Sequence, residues 1–474
     1  MNSAGYRYAA SDQAFYIPAI VRHLEPADFP RDAPLIDGQA RLVLVDDALA
    51  AIVKTTGVSL QSLFAALYGL TLALLLAALI ALGRRLYRSE WAVIALTAAL
   101  TLRHSIAKTG ANTLEGYFHP RVLVFALGLF GVAAFLDKRD WLWIALVALG
   151  IVIHPTTAMW FGVWLGLAAW VGRPTRRPLL AVAAGAGALI VVLILWRGPL
   201  AGHLTPMDAE WLSAISDKDY LFPFEWPVAA WLLHLAIATV ILLCWRARRR
   251  ADLTVAGETP LVLGAMGLLV LFACWLPFDA ARIALAAELQ VSRVFWLLDV
   301  LATIYVVWWL TEGRPSQRRT PGAGRWIAAA LVTLSLSRGV YAMFIEFPDR
   351  PIVGIDIKAG DWHDAMAWAR TTDPSSGWLA DPLHAARYGS SVRATGHRDV
   401  LLERVKDRAI AMYDRSAALR VADRERALEV LPWDTADGAR ALARRYGLDY
   451  LVIDRELDLP LAHRSGALFI YRLR

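Results

Sequence analysis

The chain has 474 residues, of which 57% are hydrophobic and only 19% charged. That is more apolar surface than a water-soluble chain of this length buries, so a soluble globular protein is excluded and a polytopic membrane protein is expected. The formal charge of +7 does not point to nucleic acid, because the basic residues sit in short clusters between apolar runs, where they set membrane orientation. Cys244 and Cys274 both fall inside apolar runs, which leaves no disulfide framework, zinc site or redox motif.

Residues 1–59 are mixed and polar. SDQAFYIPAIVRHLEPADFPRD is followed by a run in which Leu42, Val45, Leu49, Ile52 and Val53 recur at helical spacing while Asp46, Asp47 and Lys54 take other faces. The spacing predicts an amphipathic helix, either lying on the membrane surface or packed on the protein's own spans. Ten apolar runs follow, at about 60–82, 91–104, 119–136, 141–154, 155–171, 178–196, 227–245, 258–276, 294–310 and 325–347. Several are shorter than the ~20 residues that cross a bilayer upright. The pair around His154-Pro155 reads either as two spans or as one broken, re-entrant element.

Arginine-rich connections alternate with poorer ones. Arg84, Arg85 and Arg88; Lys138 and Arg139; Arg173, Arg176 and Arg177; Arg246, Arg248, Arg249 and Arg250; and Arg314, Arg318, Arg319 and Arg325 mark one side, which the positive-inside rule places in the cytoplasm. The loops near 103–121, 197–226 and 277–293 then face outward, together with residues 1–59 and the tail from 348. No charged leader and apolar core open the sequence, so an upstream first transmembrane helix is expected to be missing from it. The tail, 348–474, is charged and soluble in periodicity. DWHDAMAWAR and DTADGARALARRYG predict helices, GWLA, DYLVID and ALFIYR strands, and Val405–Val430 one long surface helix. Gly447, after Arg444 and Arg445, is a helix stop. The expected fold is thus a mainly α polytopic membrane protein of about ten transmembrane helices, 60–347, with an outer-face segment, 1–59, and a C-terminal extracytoplasmic α/β domain, 348–474.

Chemistry concentrates in RHSIAKTGANTLEGYFHPR, residues 103–121. Arg103, Lys108 and Arg121 suit a lipid phosphate, by point charge or by a guanidinium fork. Glu115 supplies a carboxylate one turn before His119, and His154 and Arg293 add cations at the same surface. An internal salt-bridge network is the plain alternative for these charges. Asp12 is an outer carboxylate, either a proton acceptor or a helix cap. Asp299 and Arg338, on consecutive spans, are expected to form a structural ion pair, since a lone charge at that depth costs at least ~2.5 kcal/mol. Trp211 and Trp226 in outer loops are interfacial anchors or stacking platforms for a sugar ring. No HExxH, CxxC, GxSxG or Walker loop occurs, which removes hydrolase and ATPase readings. No cofactor is required, and a divalent metal is left open with no residue pattern supporting one.

SDQxxYIP with LEPADFPRD, GYFHPR opening a span, the IHPTTAMW break, LQVSR entering a late span and a tail ending YGLDYLVIDRE together resemble GT-C-like polytopic glycosyltransferases of bacteria. The resemblance covers most of the chain. It implies transfer of a sugar from a polyprenyl-phosphate carrier to an envelope glycan, lipid or protein, by inverting displacement on the outer face of the inner membrane. It also implies that Asp12 is the catalytic acid of the first outer loop and Glu115 the second. The chain departs from the pattern in lacking the usual first helix and an Asp-Glu or Asp-x-Asp pair at Asp12. A noncatalytic scaffold for envelope polysaccharide assembly and a lipid or glycan transporter are the other readings, and the absence of an internal repeat disfavours the transporter.

Overall fold

The computed structural model describes residues 2–102, 105–313 and 323–474. Arg103, Arg314, Arg318 and Arg319, all used above, lie outside the described residues, as does His104. Three helices, α1 (Gln13–Leu24), α2 (Ala33–Ala40) and α3 (Val45–Thr56), precede the apolar part of the chain. Every one of the ten apolar runs is helical: α4 (Leu60–Leu86), α5 (Glu90–Thr101), α6 (Pro120–Leu136), α7 (Asp140–Ile153), α8 (Pro155–Gly172), α9 (Arg177–Arg197), α11 (Val228–Arg250), α12 (Glu258–Ala280), α14 (Val294–Trp308) and α15 (Ala323–Tyr341). Short helices α10 (Ala209–Ala214) and α13 (Ala284–Glu288) lie in two of the connections. Among the described residues, six elements are long and apolar enough to cross a membrane: α4, α9, α11, α12, the stretch from α13 through α14, and α15 with its extension. The protein is thus mainly helical, with the apolar helices of a multi-pass membrane protein.

The chain divides into two units, Met1–Gly5 with Leu67–Pro206 and Asp219–Ile352, and Tyr6–Ala66 with Met207–Lys218 and Val353–Arg474. In the first, glycines let helices approach. A Cβ on Gly264 would stand 2.8 Å from the Trp164 carbonyl oxygen, so α12 lies backbone to backbone on α8, and Trp164 Nε1 donates to the Leu261 carbonyl across the contact at 2.9 Å. α9 has no buried residue, and Leu179, Val182 and Trp196 are 60%, 70% and 67% exposed. A continuous apolar helix surface of this kind is compatible with hydrocarbon and not with water.

Ion pairs fix which connections share an end of this unit. Arg85 pairs with Asp137, and Arg173 with Asp140. Arg248 is held by Glu258 at 2.6 Å and donates to the Leu86 carbonyl at 3.0 Å, while Glu312 accepts from the amides of Arg88 and Ser89. The Arg-rich connections therefore converge. Because Asp140 opens α7 and Arg173 follows α8, those two helices form a hairpin that turns at His154.

The second unit does not follow the expected boundaries. Residues 1–59 are not a region apart: from Tyr6 onward they belong with the C-terminal residues, as does 207–218. β1 (Tyr6–Arg7) pairs in parallel with β4 (Val353–Gly354); β2 (Ser105–Ile106) and β3 (Ala111–Asn112) form a hairpin in the first unit. The C-terminal sheet runs β6-β5-β7-β9-β8, from β5 (Gly377–Leu379), β6 (Asp399–Val400), β7 (Tyr450–Ile453), β8 (Leu461–Ser465) and β9 (Leu468–Arg472). β5 is parallel to β6 and β7, and β9 is antiparallel to β7 and β8. Trp362, Met366, Trp378, Val452 and Ile470 form its core. α16 (Asp361–Ala369) and α19 (Ala436–Tyr446) are the expected helices, with Gly447 at φ 71° ending the latter. The expected single helix over 405–430 is two, α17 (Arg404–Ile410) and α18 (Arg415–Val430), because Asp414 caps α18 by accepting from the Ser416 and Ala417 amides.

Buried charge binds the N-terminal segment into this unit. The Asp399 carboxylate accepts from the amides of Arg31 and Asp32 at 3.0 and 2.9 Å. Asp32 in turn takes Arg393 at 2.6 Å and also pairs with Arg420, while Arg393 forks onto Asp407 at 2.5 and 3.1 Å. Burial alone would raise the Asp32 carboxyl, but Arg393, Arg420 and Arg424 hold it well below the usual carboxylate range. Hydrophobic periodicity is blind to such a link.

The predicted amphipathic helix is α3, and it buries Val45, Asp46, Leu49 and Ala50. Its packing is against the protein itself, on α1, although Leu44 and Ile52 stay 59% and 40% exposed. Burial first, then the charge of Asp47, pushes the Asp46 carboxyl from 3.8 up to about 8. Between those two values the folded chain holds a proton that the unfolded chain has released. Stability contributed here therefore falls as pH rises through that window, by up to ~1.4 kcal/mol per pH unit. Asp46→Asn is expected to flatten this slope and to raise stability at pH 8, read from thermal unfolding between pH 5 and 8. An unchanged slope would remove Asp46 as its source.

Candidate functional site

At the end of the first unit opposite the Arg-rich connections, the polar stretch folds as the β2–β3 hairpin followed by a loop into α6. Lys108 and Gly110 take left-handed backbone at φ 53° and 58° to close the hairpin. A Cβ on Gly116 would stand 2.6 Å from the carbonyl oxygens of Ser3 and Gly5, so only glycine lets the chain's first residues run across this loop.

Glu115 and Arg121 form a nearly solvent-free ion pair, with side chains 2% and 7% exposed. Arg121 Nη1 also donates to the Gly110 carbonyl at 2.9 Å, which locks the guanidinium between hairpin and helix. His119 caps α6: its Nδ1 accepts from the Arg121 amide at 3.2 Å, with Pro120 in the first helical position. His154 caps α8 in the same way, Nδ1 accepting from the Thr157 amide at 3.4 Å ahead of Pro155. A ring nitrogen that accepts carries no proton, so each imidazole is left with a donating Nε2–H. The two rings lie 6.1 Å apart.

Arg293 completes the group. It is buried, ends the turn Val291–Arg293 that leads into α14, and lies with Arg121 and His119 in electrostatic reach of His154. The turn is entered through Gln290 at φ 47°, a strained conformation for a side chain that long. Two buried hydroxyls beside these residues, Ser292 Oγ and Thr157 Oγ1, have no hydrogen-bond partner among the described residues. Trp296 Nε1 donates to Thr113 Oγ1 at 3.0 Å, and its ring stacks on Phe125 at 4.0 Å, tying α14 to the loop and to α6. Among the described residues, two guanidiniums, two imidazoles and two uncommitted hydroxyls gather here with the Glu115 carboxylate, groups of the kind that bind an anion.

The structure thus brings together Glu115, Arg121, His154 and Arg293 from the expected set. Arg103 lies outside the described residues. Lys108 belongs to the same hairpin but pairs with Asp219. Asp12 is in the second unit, where it precedes α1 and binds Lys406 at 2.5 Å. The expected Asp299–Arg338 ion pair does not form: Arg338 binds Glu346 at 2.7 Å, a carboxylate of its own helical element, while Asp299 is buried in α14. Trp211 and Trp226 are buried, not stacking platforms; their indole N–H groups donate to the carbonyls of Ala411 at 2.7 Å and Asp219 at 2.9 Å.

The sequence offered His119 as one of the cations of its stretch and not as a helix cap, and gave no role to Ser292, Thr157 or the His203–Glu288 pair at 2.6 Å. A signal for the first was present. The chain holds two His-Pro dipeptides, 119–120 and 154–155, and both open a helix at this site. No protein-family model matches the chain, and no curated protein matches it.

Proposed function

We propose that the protein is a GT-C-like membrane glycosyltransferase of a bacterial inner membrane, with all ten apolar helices spanning and the Arg-rich end in the cytoplasm. The N-terminal segment and the C-terminal α/β residues are then extracytoplasmic, and the donor is a sugar on a polyprenyl phosphate. One observation carries this reading: buried Arg121, Arg293 and His119 and half-buried His154 converge at the end of an apolar helix bundle. An anionic lipid headgroup has its charge at that level, with its chain in the surrounding hydrocarbon.

In the reaction an acceptor hydroxyl oxygen attacks the anomeric carbon, and the bond from that carbon to the phosphate oxygen breaks. The electron pair leaves with the phosphate, where two guanidiniums and two imidazole N–H groups stabilise the growing charge. The hydroxyl proton passes to a carboxylate, Asp12 or Glu115. The acceptor is an envelope glycan, lipid or protein. That each carboxylate already has a cation, Lys406 for Asp12 and Arg121 for Glu115, favours a second reading, a noncatalytic scaffold for polysaccharide assembly.

Complementation of a deletion strain separates the two. Wild type, Asp12→Asn and Glu115→Gln are expressed at matched membrane levels, and surface glycans are profiled by mass spectrometry. The variant that removes the proton acceptor is expected to lose one defined sugar, with transfer down by ~10²–10⁴-fold. Full complementation by both would establish the scaffold.

A further inference from the structure

A second cavity in the first unit is built differently from the anion site. It has a volume of about 240 Å³, roughly eight waters' share of the liquid at ~30 Å³ each, and lies between α4, α5 and α15. Tyr68, Leu72, Leu75 and Leu76 recur at i, i+4, i+7 and i+8, so one stripe of α4 forms a wall ~12 Å long. Leu100 of α5 and Leu336 of α15 face that stripe. Leu76 and Leu336 are 41% and 61% exposed, which places lipid-facing side chains on the rim of the groove.

The groove has a polar collar. Asn2 Nδ2 donates to the Thr101 carbonyl at 3.1 Å and to Ser335 Oγ at 3.0 Å; the Thr101 and Ser335 hydroxyls are 2.5 Å apart, and those of Ser3 and Tyr68 3.2 Å. Five helical and N-terminal polar groups thus meet, and none is charged. The geometry points to a binding site for one acyl chain of a membrane glycerolipid, its ester oxygens at the Asn2–Ser3–Tyr68–Thr101–Ser335 collar and its methylenes against the leucines of α4, α5 and α15.

Three features select this occupant. The walls are apolar and belong to helices of membrane type, so hydrocarbon is the filling that restores their packing. The collar offers hydroxyl and amide groups suited to ester oxygens, which take hydrogen bonds and need no counter-charge. An isoprenoid phosphate would instead set a charged group directly at the end of its chain, where the collar's described side chains, Asn2, Ser3, Tyr68, Thr101 and Ser335, include no cation. Leu114, which also lines the groove, is the residue before Glu115, so the occupant lies beside the loop of the anion site.

The inference does not depend on sugar transfer, and neither does its test. Full-length protein is reconstituted in vesicles of phosphatidylethanolamine and phosphatidylglycerol containing a phosphatidylethanolamine with a diazirine on its acyl chain. After irradiation, cross-linked peptides are quantified by mass spectrometry. Cross-links are expected to concentrate on Leu72, Leu75 and Leu336 relative to α9, whose lipid-facing residues report bulk lipid. Leu72→Trp, which fills the groove, is expected to abolish the excess while leaving the α9 signal unchanged, so a misfolded variant is recognised by loss of both. Tyr68→Phe with Ser335→Ala is expected to lower the excess by about three- to tenfold, the effect of losing one or two net hydrogen bonds. Equal labelling of groove and α9, or displacement of the label by unlabelled polyprenyl phosphate, would overturn the assignment.

Discussion

Arg393→Met is expected to destabilise the α/β residues of the second unit strongly at neutral pH. Arg393 is 2% exposed and stands between Asp32 at 2.6 Å and Asp407 at 2.5 Å, with Glu403 at 3.8 Å. Without it, carboxylates that are each 1% exposed face one another with one cation fewer. Breaking a buried pair in this way costs ~3–5 kcal/mol, against a total stability on the order of 5–15 kcal/mol for a domain. Arg393→Lys keeps the charge but not the fork onto Asp407, and falls between the two.

The effect has a pH signature. Burial already raises the Glu403 carboxyl to about 7, against the pull of Arg393. Removing the guanidinium favours protonation of its neighbours further, so the defect of Arg393→Met shrinks as pH falls and the carboxylates become neutral. Hydrogen exchange on the full-length protein reads this directly. Amides of Gly377–Leu379 and Tyr450–Ile453 are expected to lose protection at pH 7.5 and regain part of it at pH 5.5. Wild-type protection in the variant would mean that the network does not hold the unit.

Arg393 also marks where sequence reasoning stops. The apolar runs, the break at His154-Pro155, the strands of DYLVID and ALFIYR and the stop at Gly447 are local features, written in composition, periodicity and capping, and the structure has them all. The membership of Tyr6–Ala66 in the C-terminal unit is written in single buried charges, Asp32 and Asp399 against Arg393 and Arg420, hundreds of residues apart. Asp32 in PADFPRD looks like any loop aspartate. The Asp299–Arg338 expectation failed for a related reason: depth along two spans says nothing of rotation about each axis, and a nearer carboxylate, Glu346, was available. The cluster around Arg121 was legible because one short stretch contributes Glu115, His119 and Arg121, and because His154 and Arg293 each sit at a break between apolar runs. Its strain at Gln290 and its uncommitted hydroxyls are three-dimensional facts with no local trace.

Arg121→Met is expected to destabilise the first unit by ~3–5 kcal/mol, and Glu115→Leu added to it is expected to restore most of that loss. The single substitution leaves Glu115, 2% exposed in its side chain, without the cation that offsets its burial. The double substitution removes both charges and puts apolar groups in their place, that of Arg121 one helical turn before Phe125, whose ring stacks on Trp296. Buried ion pairs replaced whole by apolar residues are often neutral or even stabilising. Thermal unfolding in detergent of wild type, both single variants and the double closes the cycle, and the coupling it yields is the structural worth of the pair. Sugar transfer by the same four proteins then separates structure from chemistry. If Arg121 stabilises a leaving phosphate, the double variant folds yet transfers ~10²-fold or more slowly. If the double variant folds and transfers at the wild-type rate, the pair is a strut of the loop, and the phosphate site loses its best-placed guanidinium.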